Sequence, residues 1–84
     1  MLTVLKFERL KRGKQLREVA REIGMPEVSL CRVENGQGYV PPAYRERLAE
    51  FYGLAPDELW NEYGWPLIVA GEQPVMVRKT EPTR

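Results

Sequence analysis

Basic side chains, which can bind phosphate, are concentrated in the first half of this 84-residue chain. Residues 1–47 contain ten lysines and arginines and six acidic residues, a net charge of +4. Residues 48–84 contain three basic and six acidic residues, a net charge of −3. A basic half favours contact with a polyanion, but a mixed and solvated surface would give the same counts. Charge alone therefore leaves both interpretations open.

Residues that commonly perform catalysis or bind metal ions are scarce in the sequence. Histidine is absent and Cys31 is the single cysteine, so the usual general base and the serine and cysteine triads cannot be built. A zinc site would have to consist mostly of carboxylates, which is uncommon in proteins. The sequence also lacks a glycine-rich phosphate-binding loop. We therefore expect a non-enzymatic protein that binds no metal and no cofactor.

The composition indicates a single small domain in a reducing compartment. The length suits one domain, and 43% apolar with 30% charged residues is ordinary for a globular protein. One cysteine cannot form an intrachain disulfide. No run approaches the roughly 18 apolar residues of a membrane-spanning helix. Because Lys6, Glu8 and Arg9 interrupt the apolar residues near the N-terminus, we expect no signal peptide and a cytoplasmic location.

Two short helices joined by a tight turn are predicted over residues 16–23 and 26–34. The first has apolar residues at i, i+3, i+4 and i+7, the pattern of an amphipathic helix, namely Leu16, Val19, Ala20 and Ile23. Gly24 closes it, and Pro26 suits the first turn of the next helix, which Asn35 and Gly36 end. A helix pair with such a turn is the helix-turn-helix motif.

Further helices are predicted on both sides of this pair. One covers residues 3–12, with Thr3 as N-cap, Gly13 as terminator and an apolar face of Leu2, Leu5 and Leu10. Another covers residues 42–52, and a short one covers residues 56–62, where a proline and two acidic residues favour a helix start. Together with the pair, these elements make a five-helix, all-α domain over residues 1–63.

The sequence after Gly64 has a different character and predicts a short β appendage over residues 64–84. Residues 65–70 form an apolar run, residues 71–74 carry turn residues, and residues 75–79 alternate apolar and polar. An isolated hairpin is marginal in water. Either this segment dimerises the protein, or it folds back and closes the core of its own chain. The predicted dimer contacts are Trp65, Leu67, Val69, Val75 and Val77.

The helix-turn-helix region resembles the Cro and lambda-type repressor family, also called the XRE family. The matching residues are Arg9, Gly13, residues 16–25 (LREVAREIGM), residues 29–36 (SLCRVENG), Pro41, residues 48–54 (LAEFYGL) and residues 57–59 (DEL). The resemblance extends over residues 5–60, about two-thirds of the chain. It implies a domain that places its third helix in the major groove of double-stranded DNA. It also implies a repressor that binds an inverted-repeat operator as a homodimer.

The same resemblance implies roles for individual residues. Base-reading positions fall on Glu27, Val28 and Arg32, and an ion pair falls on Arg9 and Glu34. Phosphate contacts fall at the start of the second helix and after the third, and basic or aromatic neighbours extend them: Lys14, Gln15, Leu16, Arg17, Asn35, Gly36, Gln37, Tyr39 and Arg45. Leu16 has no side-chain donor where the family often has one, so Gln15 or Lys14 would substitute for it.

Alternatives stay open for each base-reading residue and for the function. Arg32 either donates two hydrogen bonds to a guanine base, contacts a phosphate or is solvated. Val28 either touches a thymine methyl group or is partly buried in the turn, and Glu27 either accepts from cytosine N4 or complements the helix dipole. An antitoxin that represses its own operon and binds a toxin through residues 61–84 is an alternative function. A protein-interaction module that does not bind DNA is another.

Overall fold

Four α-helices follow one another along the chain: α1 (Val4–Lys11), α2 (Leu16–Ile23), α3 (Glu27–Glu34) and α4 (Pro42–Tyr52). A 3-10 helix, Pro56–Glu58, follows them. The computed structural model describes residues 1–69, and within that range the fold is all-α without a sheet. The predicted positions of the four helices are confirmed, with α2 and α4 at the predicted bounds.

The ends of α2 and α4 are built in the same way. Gly24 and Gly53 follow these helices with φ of 74° and 67°, a left-handed conformation that glycine adopts without steric cost. In both cases the next N–H group reaches back to a helix carbonyl. Met25 N–H donates to Ala20 O at 2.9 Å, and Leu54 N–H donates to Ala49 O at 3.1 Å. The turn at Gly24 fixes the direction in which α3 leaves α2.

The core lies where α2, α3 and α4 meet beneath α1. Its members are buried apolar side chains, namely Leu5, Val19, Ala20, Ile23, Met25, Leu30, Val33, Val40, Leu48, Ala49, Tyr52, Leu59 and Trp60. The small side chain of Ala20 is compatible with a close approach of α2 to α3. Because the inner face of α3 is fixed by this core, its outer face is held in a defined orientation.

The prediction that Leu10 belongs to the apolar face of α1 that packs on the core is wrong. Leu5 is fully buried, but Leu10 is 54% exposed. The charged side chains of Glu8 and Arg9 are buried in its place. Both are paired with opposite charges, which allows them to replace an apolar residue on the inner side of the helix.

The short helix predicted over residues 56–62 ends at Glu58 instead. Asn61 turns the chain: its Oδ1 accepts from Tyr63 N–H at 2.9 Å and from Trp65 N–H at 3.0 Å. Its own N–H donates to Trp65 O at 2.9 Å. These hydrogen bonds favour a tight loop over another helical turn.

The strand predicted over residues 65–70 is not formed within the described residues. The chain makes two isolated antiparallel bridges there, Thr3 with Ile68 and Trp60 with Pro66. Val4 N–H donates to Leu67 O at 2.8 Å, and Val69 N–H donates to the carbonyl of Leu2 at 2.7 Å. Residues 67–69 therefore run along residues 2–4, at the start of α1. The second predicted strand, residues 75–79, lies outside the described residues.

Candidate nucleic-acid interface

The third helix has one buried side and one exposed side. Leu30 and Val33 are 1% and 3% exposed and face the core. Glu27, Val28 and Arg32 are exposed, and Val28, an apolar residue, has 69% of its surface in contact with solvent. An apolar side chain so exposed beside charged ones is available for contact with another molecule.

Two shallow grooves flank the exposed side of α3. The first, of about 540 Å³, lies between the start of α2 and α3, and its lining residues are Leu16, Glu27, Val28, Cys31, Arg32 and Gln37. The second, of about 360 Å³, lies toward the following loop, and its lining residues are Ser29, Arg32, Val33, Gln37, Gly38, Tyr39 and Pro41. Arg32 and Gln37 line both. The predicted base-reading residues thus share one continuous surface with three of the predicted phosphate contacts, Leu16, Gln37 and Tyr39.

The start of α2 presents a helix N-terminus at the edge of this surface. Gln15 is the N-cap, and its N–H donates to Glu18 Oε1 at 3.0 Å. Leu16 is half-buried against the core. Because its side chain has no polar atom, its backbone N–H is the group that it offers to an anion. The carbonyl of Lys14 accepts from Arg9 Nη1 at 2.9 Å, which fixes the loop before the helix. Helix N-termini favour anions through their free N–H groups and dipole.

The loop after α3 brings its predicted contacts to the other edge. Asn35 and Gln37 are exposed, and Asn35 Nδ2 lies 3.5 Å from Cys31 Sγ. Tyr39 is 53% exposed and packs its ring against that of Trp65, with the ring centroids 6.3 Å apart. The loop therefore contacts the segment that follows the helical domain.

Two of the predicted phosphate contacts are engaged within the protein. Arg45 Nε donates to Val40 O at 2.8 Å, and its Nη2 donates to Tyr63 O at 3.3 Å. Arg17 Nε lies 3.6 Å from Glu27 Oε1. Arg45 would have to break two hydrogen bonds to reach a phosphate, whereas Arg17 is exposed beside Glu27, a predicted base-reading residue. Neither set of contacts can be predicted from the spacing of residues along one helix, because each joins residues on different elements of the fold.

A buried ion pair supports this surface from behind. Arg9 Nε lies 2.8 Å from Glu34 Oε2, and Arg9 Nη2 donates to Glu34 Oε1 at 2.9 Å. The hydrogen bonds to Glu34 raise the pKa of Arg9 above its usual value. Sequence reasoning missed a second support: Thr3 Oγ1 donates to the carbonyl of Glu34 at 2.7 Å. This bond satisfies a free carbonyl in the last turn of α3, and the same hydroxyl caps α1 by accepting from Lys6 N–H at 3.2 Å.

The part of the chain that the structure describes offers no group of three or more metal-ligating side chains. Within residues 1–69, no helix has the length and apolarity to span a membrane.

Comparison with known proteins gives one match. A family model described as "Helix-turn-helix domain" matches residues 3–60. The matched range begins at the N-cap of α1 and ends at Trp60, and it includes every α-helix described above. No curated protein and no solved structure matches the chain significantly.

Proposed function

The chain belongs to the helix-turn-helix family of XRE-like DNA-binding domains, and from this we propose that it is a transcriptional repressor acting on double-stranded DNA. In this proposal α3 enters the major groove, which is wide enough to admit a helix. The two edges of the surface, the start of α2 and the loop after α3, bind phosphates on either side.

The division of α3 into a buried and an exposed side is the observation that carries the proposal. Leu30 and Val33 anchor the helix in the core, while Glu27, Val28 and Arg32 present outward an acceptor, an apolar group and a donor, in that order. These are the chemical types that distinguish base pairs in the major groove. The helix is also braced by the ion pair of Arg9 with Glu34. A rigid scaffold of this kind suits a recognition element.

The assembly we propose is a homodimer that binds an inverted-repeat operator in the cytoplasm. One recognition helix reads only a short half-site, and a two-fold dimer doubles the contact. Trp65 and Ile68 are 43% and 46% exposed, and in the sequence they precede the predicted dimer residues Val75 and Val77. We place the dimer contact in this segment, with Leu67 and Val69 at its start and Val75 and Val77 beyond.

The test is the salt dependence of binding to duplex DNA. A fluorescently labelled duplex pool is titrated with the protein between about 50 and 200 mM salt, and a bound sequence is then selected from random DNA. If about five phosphates are contacted by each subunit, the slope of log K against log salt is about −4 to −5 per subunit. An affinity that does not change over this range would show that the protein does not bind the DNA backbone, and would favour a protein-interaction module.

A further inference from the structure

An ion pair crosses the turn between α2 and α3 at the surface proposed to meet DNA. Arg17, the second residue of α2, lies with Nε 3.6 Å from Oε1 of Glu27, the first residue of α3. The two side chains are 71% and 48% exposed. Such an exposed pair contributes little to stability. The pair differs from an ordinary surface ion pair in its location. Glu27 lines the groove beside α3 together with Val28 and Arg32.

The position of Glu27 is electrostatically unfavourable for DNA binding unless its charge is balanced. A carboxylate on this surface repels the phosphates that flank the major groove. Arg17 places a guanidinium group beside that carboxylate, so the pair together carries no net charge. The repulsion that an isolated glutamate would exert is thereby reduced.

The pair also leaves Glu27 able to bind. A carboxylate has two oxygens and accepts several hydrogen bonds. The closest approach of Arg17 to this carboxylate is 3.6 Å, longer than a hydrogen bond, so the carboxylate can still accept from another donor. Among the groups in the major groove, the N4 amino group of cytosine is the donor that a carboxylate typically accepts from.

We infer that Arg17 is a positioning residue for base recognition by Glu27, an inference that rests on the proposed function. Arg17 neutralises Glu27 and restricts its side chain to the groove wall, and Glu27 reads cytosine at one base pair of each half-site. Arg17 thereby acts on sequence preference through Glu27. A simple phosphate contact, in contrast, would affect every sequence equally.

The experiment compares base preferences of variants on the selected site. The wild-type site and its three substitutions at each base pair are titrated with the wild-type protein, Arg17→Ala, Arg17→Lys, Glu27→Ala and the double variant. Arg21→Ala is the matched control, because Arg21 is an exposed arginine one turn further along the same helix. Circular dichroism checks that each variant is folded.

The expected result is a loss confined to one base pair. Glu27→Ala and Arg17→Ala reduce discrimination by about fivefold or more at the same position, and the double variant loses no more than Glu27→Ala alone. Arg17→Lys restores part of the discrimination because it keeps the charge. Arg21→Ala leaves the preferences unchanged.

Other outcomes separate the inference from the proposed function. If Arg17→Ala weakens all sequences equally and lowers the salt slope by about 1, Arg17 is a phosphate contact and the inference is wrong. If Glu27→Ala changes no base preference, Glu27 is not a reader and the inference is also wrong. Both results leave the DNA-binding function intact, whereas a wild-type protein that binds no duplex overturns that function itself.

Discussion

Arg9 holds the carboxylate of Glu34 at two points, with Nε 2.8 Å from Oε2 and Nη2 2.9 Å from Oε1. The two residues are 25 positions apart and join α1 to the last turn of α3. Glu34 is 3% exposed and Arg9 is 9% exposed. A third donor of Arg9, Nη1, holds the carbonyl of Lys14 ahead of α2. One side chain of α1 thus holds both the last turn of α3 and the loop before α2.

Replacing Arg9 should therefore destabilise the fold strongly. Arg9→Ala leaves the buried carboxylate of Glu34 without its partner, and we expect the free energy of unfolding to fall by about 3–5 kcal/mol. This would be a large part of the stability of a small domain. The measurement is urea unfolding at pH 7, followed by circular dichroism.

The control for this prediction is Arg21→Ala, because Arg21 is exposed on α2; we expect a change within about 0.5 kcal/mol. Arg12 would be a poor control, since its Nη2 donates to Tyr52 O at 2.9 Å. The variant Arg9→Met with Glu34→Leu removes both charges and should recover most of the loss. Equal stabilities of Arg9→Ala and Arg21→Ala would contradict the structural role of the pair.

A second ion-pair cluster on α1 should make stability depend on acid pH. The hydrogen bond from Arg12 holds the pKa of Glu8 below its usual value of about 4.5, and Lys11 Nζ lies 3.2 Å from the same carboxylate. Because the folded-state pKa is the lower one, the stabilisation is present above the unfolded-state pKa. It is lost as the pH falls through the folded-state value.

We expect Glu8→Gln to be less stable than the wild type by about 1 kcal/mol at pH 7. The difference should shrink as the pH falls below about 4.5 and disappear at lower pH. Glu22→Gln, at an exposed position of α2, is the control. Thermal unfolding of the three proteins from pH 2.5 to 7 gives the comparison, and a difference that is constant with pH would show that the Glu8 charge does not stabilise the fold.

The buried hydroxyl of Tyr52 should make the stability of the fold decrease at alkaline pH, whereas Glu8 makes it decrease at acid pH. The hydroxyl has no hydrogen-bond partner within the described residues, and burial raises the pKa of Tyr52 above its usual value of about 10. A folded-state pKa above the unfolded one gives stability that is present below pH 10 and is lost as the pH rises toward the folded-state value.

Tyr52→Phe should therefore be as stable as the wild type at pH 7, or more stable by up to about 1 kcal/mol, because it removes an unpaired buried hydroxyl. Above pH 10 it should lose less stability than the wild type. The ring contacts with Phe51 and Arg12, at centroid distances of 5.0 Å each, are kept in this variant. Urea unfolding at pH 7 and pH 11 tests this, and a Tyr52→Phe protein that is less stable at both would show that the hydroxyl has a partner.

The sequence predicted the helices best where a local signal marks both ends. The bounds of α2 and α4 follow from apolar residues at helical spacing and from Gly24 and Gly53 after them. The helix after Pro56 was predicted too long, because hydrogen bonds from residues 63 and 65 to Asn61 turn the chain. Such bonds depend on the path of the following loop, which helix signals do not encode.

The roles of side chains were harder to predict where buried charged residues take the place of apolar residues. Leu10 was expected in the core on its residue type, but the inner side of α1 is occupied by Glu8 and Arg9, whose charges are balanced by partners. The family resemblance indicated Arg9 and Glu34 as a pair, but no pattern pointed to the hydrogen bond from Thr3 to Glu34 O. That bond exists only once α1 and α3 have packed together.

Arg32 should govern the affinity for one sequence more than for DNA in general. It lines both grooves beside α3 and its guanidinium group can fork onto guanine. We expect Arg32→Ala to weaken binding to the selected site by about 1–3 kcal/mol and to weaken binding to random duplex by less. Arg21→Ala again serves as the control in the same titrations. An equal loss on both DNAs would make Arg32 a phosphate contact.

The dimer proposal predicts that the apolar residues between positions 65 and 77 hold two copies together, so that removing those after position 69 weakens the dimer. A truncation after Gly64 would be a poor test, because it also removes the hydrogen bonds of Leu67 with Val4 and Leu59 that close the helical domain. Truncation after Val69 keeps these bonds and removes Val75 and Val77, while Trp65→Ser and Leu67→Ser in the full chain probe the contacts before it.

We expect the chain truncated after Val69 to keep its helical circular dichroism spectrum, to sediment as a monomer and to bind the selected operator far more weakly than the full chain. Its affinity for a single half-site should be nearly unchanged, because each recognition helix is intact and only the link between the two copies is lost. Ser substitution at Trp65 should weaken self-association more than at Leu67, since Trp65 is the more exposed of the two. A truncated chain that still sediments as a dimer would place the contact within residues 1–69 and exclude the segment after Val69 as its source.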